Sequence, residues 1–174
     1  MSWQTKETQA RRAIEDQGFV VHDANVLFGA HCKNIDLVVY GKSGASYIQV
    51  KSSAKPAGKD CMVVDGSAWT SEQLYKDAPL FNKHDHFQAS LVVIVDRLKN
   101  GETDFYIAPP AALEALVRKR SLKFARKPKR DGTQRSIKFR KELPRDALRR
   151  WHRAWHLLGD GSLFKPAAKE ARFQ

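Results

Sequence analysis

Cysteine is scarce in this chain of 174 residues, which contains only two of these side chains. Cys32 and Cys61 are single and far apart, so the sequence predicts neither a disulfide framework nor a Cys-x-x-Cys zinc pair. His152 and His156 have the spacing of two metal ligands on one helix face, but Arg153 stands where the HExxH motif has Glu. We therefore expect no zinc site and a reducing, cytoplasmic location.

Long apolar runs are also absent. The longest covers residues 91–95 and is far too short to span a bilayer. The N-terminus leads directly into a polar helix rather than the apolar segment of a signal peptide, and no lipidation motif is present. We therefore expect no membrane partner.

Two common catalytic signatures are missing. Neither GxSxG nor GxGxxG occurs, so acyl transfer and dinucleotide binding have no support. Gly41, Lys42 and Ser43 resemble the end of a phosphate-binding P-loop, but Asp36 stands where that loop needs Gly. A strand is also predicted where the loop requires a helix.

Acidic residues are few in the last third of the chain. The formal net charge of the chain is +12. Residues 1–110 contain 12 Lys and Arg and 13 Asp and Glu, a net charge of −1. Residues 111–174 contain 19 Lys and Arg and 6 Asp and Glu, a net charge of +13. Such a segment is often only a solvated face, and an anionic membrane would attract it equally. Concentrated positive charge also binds polyphosphate through counterion release, and without apolar support for a membrane we expect a nucleic-acid partner. The candidate contacts are Arg118, Lys119, Arg120, Lys123, Arg126, Lys127, Lys129, Arg130, Arg135 and Lys138.

The apolar pattern of the first 110 residues predicts alternating helices and strands. A helix over residues 3–17 ends at Gly18 and places Glu7 on its apolar stripe. Further elements are predicted by short apolar runs and by a capping-box start. They are strands within residues 61–64, 90–96 and 104–108 and a helix over residues 70–81. Because the run at 90–96 is apolar on both faces, it predicts a central strand.

The remaining residues predict a basic, mainly helical extension packed on this core. Pro110 opens a helix over residues 111–120, and residues 126–134 have the composition of an exposed loop. A short strand is predicted at residues 136–140, and a helix is predicted from Pro144 to Gly159. We expect an α/β core over residues 1–110, an extension over residues 111–174, and a flexible tail after about residue 161.

The stretch around residue 42 carries the most informative pattern. Two apolar runs flank the turn-forming residues 41–44 and predict a β-hairpin. With strands paired symmetrically about that turn, Asp36 lies opposite Lys51, and Val38 lies opposite Gln49. Asp36, Gln49 and Lys51 then share one face. An acid and an amide can hold a divalent cation while an amine lies beside a phosphate, although polar strand ends are commonly just a solvated rim.

Together these features resemble the PD-(D/E)XK nuclease superfamily, with the pattern of archaeal Holliday-junction resolvases nearest in order and spacing. The resemblance covers residues 7–53, under a third of the chain. It rests on a helix bearing Glu7, the run Gly18-Phe19-Val20-Val21, the pair Ile35-Asp36, and the run Ile48-Gln49-Val50-Lys51-Ser52. The resemblance implies an α/β, restriction-endonuclease-like fold with an αβββαβ core and a mixed central sheet.

The resemblance also implies roles for individual residues. Asp36 would be the principal ligand of Mg²⁺ or Mn²⁺, Glu7 a further or water-mediated ligand, and the Val50 carbonyl would complete the shell. Lys51 would position the attacking water and stabilise charge on the phosphate. Gln49 departs from the family pattern, because it stands where an acid is usual and its amide oxygen carries no charge. Ser52 would orient the phosphate or simply cap the strand end.

The expected function is that of a metal-dependent nuclease that hydrolyses phosphodiester bonds in DNA. One alternative is a catalytically inactive nucleic-acid-binding protein of the same fold, with Gln49 marking the loss of metal chemistry. Another is an RNA-directed nuclease, or a nuclease component of a defence or mobile-element system. A homodimer is an expected assembly, since enzymes that cut two strands often dimerise.

Overall fold

A five-stranded mixed sheet lies at the centre of the fold. The computed structural model describes residues 3–29, 32, 34–53, 61–63, 88–98, 100–133 and 142–160. The helices are α1 (Trp3–Glu15), α2 (Ala24–Phe28) and α3 (Pro110–Ala125), with 3₁₀ helices at Asp146–Trp151 and Trp155–Leu157. The strands are β1 (Val20–Asp23), β2 (Leu37–Gly41), β3 (Gly44–Ser52), β4 (Cys61–Val63), β5 (Leu91–Arg97), β6 (Thr103–Ala108) and β7 (Glu142–Pro144).

The order of strands in the main sheet is β1-β2-β3-β5-β6. Neighbouring strands are antiparallel except β3 and β5, which run parallel. β4 and β7 form a separate antiparallel pair. The predicted α/β class with a mixed sheet is confirmed, and α1, three antiparallel strands and the parallel β5 follow in the expected order. The helix predicted over residues 70–81 lies outside the described residues.

The register of the β2–β3 hairpin differs from the prediction by two residues. Gly41 pairs with Gly44, so only Lys42 and Ser43 form the turn, and Val38 pairs with Tyr47 rather than with Gln49. Asp36 precedes the strand beside the Leu37–Ile48 pair and is therefore not opposite Lys51. The shorter, two-residue turn is the reason for the difference. Because a shift of two residues keeps every side chain on its face, the predicted sharing of one face survives the correction.

Two apolar layers cover the sheet. On one face α1 contributes Ala10 and Ile14, which pack with β-strand residues such as Ile48 and Val93. On the other face α3 and the first 3₁₀ helix pack against β5 and β6; this cluster includes Val92, Ile94, Leu113, Val117, Leu148 and Trp151. β5 is buried on both faces from Leu91 to Asp96, as its two-sided apolar pattern predicts. Each fully buried aliphatic side chain of this kind stabilises the fold by about 1.5–3 kcal/mol.

The helix predicted from Pro144 to Gly159 was wrong. Pro144 ends β7, and the two 3₁₀ helices that follow are separated at His152 and Arg153. Arg153 has a φ of 47°, and its N–H donates to the carbonyl of Phe105 at 2.9 Å. His152 forms an isolated bridge with Tyr106. Pairing with β6 therefore interrupts the helical spacing, and His152 and His156 do not share a helix face.

Other predicted elements are close to those observed. α1 ends at Glu15, and Gly18 follows with a φ of +84°, a conformation that glycine adopts without steric cost. α3 continues to Ala125, beyond the predicted end near residue 120. Residues 126–133 form the exposed loop that their composition predicts. Among the described residues, no helix is long and apolar enough to cross a membrane. The strand predicted at residues 136–140 lies outside the described part.

Candidate functional site

The polar residues singled out by the sequence meet at one end of the sheet. β2 begins directly after Asp36, and β3 runs antiparallel to it and carries Gln49 and Lys51 near its end. The start of one strand and the end of its antiparallel neighbour lie side by side. Glu7, on α1, is close enough for its pKa to be altered by Asp36 and Lys51. The hairpin and α1 therefore bring together the predicted acids and the amine.

Asp36 is held by backbone groups of two segments, α2 and β3. Its N–H donates to the carbonyl of Ile48 at 2.8 Å, and its carbonyl accepts from the N–H of Ala24 at 3.0 Å. Its side-chain Oδ2 accepts from the N–H of Val50 at 2.6 Å. These bonds fix Asp36 between the start of α2 and the middle of β3.

Burial sets the protonation behaviour of the Asp36 carboxyl. It raises the pKa of this group above its ordinary value, and Asp23 raises it further. The hydrogen bond from Val50 and the positive charge of Lys51 act in the opposite direction. Because the net direction is upward, desolvation outweighs the partners that the protein itself supplies. A bound cation would reverse this balance.

Glu7 has the largest resolved perturbation at the site. Burial raises the pKa of Glu7 to about 7, with Asp36 and Asp23 contributing in the same direction and Lys51 opposing them. Like charges that lie close together disfavour ionisation. Near neutral pH, Glu7 is therefore divided between its protonated and its charged form. Strongly perturbed acids in a cluster are typical of functional sites.

Asp23 is an acid that the sequence reasoning missed. It ends β1 and caps α2, where its side chain accepts a hydrogen bond from the N–H of Asn25 at 2.8 Å. Its charge raises the pKa of both Glu7 and Asp36. The signal in the sequence is an acid placed directly after the apolar run that forms β1, but its proximity to Asp36 follows only from the β1–β2 pairing.

Gln49 lies inside the protein with an unused acceptor. Its side chain is only 4% exposed, and its Oε1 has no hydrogen-bond partner among the residues that the structure describes. Leaving a buried acceptor unpaired costs about 1–3 kcal/mol. Amide oxygens are ligands that Mg²⁺ and Ca²⁺ accept, so the orphaned oxygen fits a role in cation binding. Ser52 Oγ is likewise buried without a partner in the described part of the chain.

The donor set fits a divalent cation only when oxygens other than carboxylates take part. Within the described residues, no group of three His, Cys, Asp or Glu side chains is arranged to hold a metal. The two predicted acids, Glu7 and Asp36, would therefore need the amide oxygen of Gln49. The Val50 carbonyl was predicted as a further ligand; the N–H of this residue is already bonded to Asp36.

Lys51 contributes positive charge to the same cluster. Its side chain is half-buried on β3, and its charge lowers the pKa of both Asp36 and Glu7. A positively charged side chain that lowers the pKa of two acids lies close to both of them. The structure therefore brings Glu7, Asp36 and Lys51 into one electrostatic unit beside the buried amide of Gln49.

The predicted basic residues lie on the second half of α3 and the loop after it. On the helix, Arg118 is partly exposed, and Lys119, Arg120 and Lys123 are exposed. Those in the loop are exposed at Arg126, Lys127, Lys129 and Arg130. Arg135 and Lys138 fall outside the described residues.

Several arginines near the C-terminus are engaged with other side chains. Arg145 Nε donates to Asp96 Oδ2 at 2.8 Å, and Arg153 Nε donates to Asp104 Oδ1 at 3.1 Å. Arg150 stacks over the ring of Trp151, with 4.0 Å between its guanidinium carbon and the ring centroid. Arg145 and Arg153 therefore tie this segment to β5 and β6.

Comparison with known proteins identifies no family. No family model matches the sequence, and no match occurs among curated proteins. A solved structure with similarity to this chain is that of a bacterial homing endonuclease, I-Ssp6803I. The two share 22% identity over 90% of each chain, with a TM-score of 0.40. At these values the likeness is too low to assign a family or an activity.

Proposed function

We propose that this protein is a metal-dependent nuclease that hydrolyses phosphodiester bonds in DNA. The observation that carries the proposal is the meeting of Glu7, Asp36 and Lys51 beside Gln49, whose buried oxygen has no partner within the described part of the chain. Two acids whose pKa values are raised, one amine and an orphaned acceptor form an environment that a divalent cation would stabilise.

The proposed ligands of Mg²⁺ or Mn²⁺ are the side chains of Asp36, Gln49 and Glu7, with the carbonyl of Val50. When bound, the cation would supply Lewis-acid stabilisation of the charge that develops on the phosphate. Asp36 would keep its position through the Val50 hydrogen bond. Glu7 has a pKa of about 7 without a cation, and binding of the cation would favour its ionised form.

Lys51 would act on the substrate rather than on the cation. Its ammonium group lies near both acids, as its effect on their pKa values indicates. From there it would donate a hydrogen bond to the phosphate or orient the attacking water. Ser52, which was predicted to orient the phosphate or to cap the strand end, is only 4% exposed and follows Lys51 on the opposite face of β3, so we assign it no contact with the phosphate.

The basic segment of α3 and its loop would hold the DNA backbone. Eight of the ten predicted basic residues are described, and all of them are at least partly exposed. Phosphate contacts of this kind supply affinity without sequence preference. DNA is the proposed substrate, and RNA is the alternative substrate that the cleavage assays include.

The competing proposal is a nucleic-acid-binding protein that has lost catalysis. It is supported by the neutral amide at Gln49 and by the lack, within the described residues, of three acidic, His or Cys side chains arranged around a metal. In that case the buried polar end of the sheet would be structural, and the basic surface would carry the function. An RNA-directed nuclease would use the same residues.

Cleavage assays with purified protein test these alternatives. The substrates are end-labelled duplex, branched and single-stranded DNA, and single-stranded RNA, each with Mg²⁺, Mn²⁺ or chelator. We expect DNA cleavage that requires the cation and that is lost in Asp36→Ala and in Lys51→Ala. Lys42→Ala is the control, because it removes an exposed lysine from the hairpin turn at the other end of β3.

The outcomes separate the proposals. Undiminished cleavage by Asp36→Ala or Lys51→Ala would overturn the assigned site. Tight DNA binding without cleavage under any condition would favour the non-catalytic protein, and cation-dependent cleavage of RNA alone would favour the RNA-directed nuclease. Thermal unfolding of each variant distinguishes a lost activity from a lost fold.

A further inference from the structure

One acid lies within the most basic part of the chain. Residues 118–140 contain eleven Lys and Arg and a single acidic residue, Asp131. In a surface that binds phosphate groups, a carboxylate repels the ligand and lowers the affinity. Charge alone therefore does not explain an acid at this position, whereas the structure of the loop after α3 gives it a role.

The carboxylate of Asp131 is bonded within that loop. Its Oδ1 accepts from the N–H of Thr133 at 3.0 Å and from the hydroxyl of Thr133 at 2.6 Å. These bonds hold the pKa of the Asp131 carboxyl below its ordinary value. Aspartate closes turns in this way, by bonding to the backbone two residues further along the chain.

The backbone closes around the same residues. The N–H of Gly132 donates to the carbonyl of Lys129 at 3.0 Å, and the N–H of Lys129 donates to the carbonyl of Thr133 at 2.9 Å. Gly132 has a φ of +79°, which glycine adopts without steric cost. A β-turn followed by a left-handed residue is a common three-residue hairpin loop. We call residues 129–133 the basic turn.

The basic turn presents two cationic side chains on an ordered backbone. Lys129 and Arg130 are exposed and occupy its first two positions. Pro128, directly before the turn, has a fixed φ and so restricts the entry of the chain. A side chain on an ordered backbone loses less conformational freedom when it binds a ligand than one on a mobile loop. The turn is therefore organised for phosphate contact before DNA arrives.

We propose that Asp131 is a positioning residue for DNA binding, which holds the basic turn in the conformation that brings Lys129 and Arg130 to the phosphates of duplex DNA. The acid then strengthens DNA binding although its own charge opposes it. This role rests on the proposed function only in that DNA is the ligand. It does not require catalysis.

Two substitutions at Asp131 separate its charge from its hydrogen bonds. Alanine removes both, whereas asparagine removes the charge and keeps an oxygen for Thr133. On charge alone, both variants would bind DNA more tightly than the parent. We expect Asp131→Ala to bind at least about fivefold more weakly, because ordering one released residue costs about five- to thirtyfold in affinity. Asp131→Asn should bind at least as tightly as the parent.

Gly132→Ala tests the turn without a change in charge. Outside its chain neighbours, a Cβ at Gly132 would meet no atom within 4 Å, so the substitution acts on the backbone conformation alone. Alanine is strained at this φ, and opening of the turn should weaken DNA binding in the same direction as Asp131→Ala. Asp16→Ala is the matched control, because it removes an exposed acid outside the basic segment. It should bind DNA as the parent does.

Fluorescence anisotropy of a labelled duplex measures binding by the full chain and its variants at one salt concentration, with chelator present to prevent cleavage. Circular dichroism checks the fold of each variant. Amide hydrogen exchange, followed by NMR, reports on the turn itself. The amides of Lys129 and Thr133 should exchange faster in Asp131→Ala and in Gly132→Ala than in the parent, and Asp131→Asn should restore the slower exchange.

The outcomes distinguish this role from the proposed function. If the parent binds DNA and a folded Asp131→Ala binds it equally well or more tightly, the positioning role is overturned and the proposed function is not. The role is likewise overturned if Asp131→Asn binds as weakly as Asp131→Ala, or if binding falls while the exchange of Lys129 and Thr133 is unchanged. A parent that binds no duplex DNA would overturn the proposed DNA binding and, with it, the role of Asp131.

Discussion

The carboxylate of Asp36 accepts a hydrogen bond from the backbone of Val50, with 2.6 Å between Oδ2 and the nitrogen. The bond connects the residue before β2 to the centre of the Gln49-Val50-Lys51 motif on β3. The acid and the motif are therefore positioned by one contact, and this contact is at the same time a structural bond and part of the proposed site.

The two roles of Asp36 can be separated by substitution. Asp36→Ala leaves the N–H of Val50 without its acceptor and should destabilise the fold by about 1–3 kcal/mol. Asp36→Asn keeps an oxygen for Val50, so its cost should stay below about 1 kcal/mol, while the loss of charge should still abolish cleavage. Urea unfolding and cleavage assays of both variants test this. Equal destabilisation by Asn and Ala would show that the hydrogen bond is not what anchors the residue.

Glu7 should make stability depend on pH. Its folded-state pKa of about 7 lies above the ordinary value of 4.5, so the folded protein keeps a proton that the unfolded chain releases. The stabilisation from this proton is present at low pH and is lost as the pH rises through about 7. Relative to Glu7→Gln, the cation-free parent should therefore lose stability between pH 5 and pH 8. Thermal unfolding of both proteins across this range checks the sign, and a parent that gains stability relative to the variant would contradict it.

Asp23 should act on Glu7 through charge. Removing this charge in Asp23→Asn should lower the pKa of Glu7, because Asp23 is one of the groups that raise it. Asparagine retains an oxygen that can accept from Asn25 and cap α2. NMR titration of the Glu7 carboxyl measures the change directly. An unchanged Glu7 titration in a folded variant would mean that Asp23 is not part of the electrostatic unit.

Gln49→Glu should tighten the binding of divalent cations. The substitution adds a negative charge at the position of the orphaned amide oxygen, and the gain should be about tenfold or more in affinity. Gln88→Glu makes the same chemical change at an exposed position just before β5 and should leave affinity unchanged. Calorimetric titration with Mn²⁺ compares them. Failure of parent and Gln49→Glu alike to bind a cation would indicate a pocket that no longer takes up metal.

Neutralising Arg126, Lys127, Lys129 and Arg130 together should weaken DNA binding across sequences. Four lost phosphate contacts reduce the slope of log affinity against log salt by about 3 to 4, and by less where a side chain does not reach a phosphate. Stability should change little, because these side chains are exposed. A variant that neutralises Arg12 and Lys42, two exposed residues outside the basic segment, is the control. Salt titrations of DNA binding measure the slope for each variant. If the fourfold variant keeps the parent slope, the basic segment is only a solvated face and does not contact DNA.

The sequence determined much of the local structure. Apolar periodicity predicted α1, and the two-sided apolar run predicted β5 as a central strand. Both patterns depend only on residues that are close together in the sequence. Alternation along a strand likewise placed Gln49 and Lys51 on one face without knowledge of the register. The same local logic identified Asp36 as an acid at a strand end.

Tertiary structure alone decided the features that depend on distant segments. The spacing after Pro144 is helical, yet the backbone breaks at Arg153 because its N–H bonds to Phe105 on β6. The two-residue turn set the hairpin register, and pairing of β1 with β2 brought Asp23 to Asp36. The orphaned oxygen of Gln49 and the raised pKa of Glu7 arise from burial. Burial and long-range pairing are properties of the assembled sheet, so they could not be predicted from the spacing of residues along the chain.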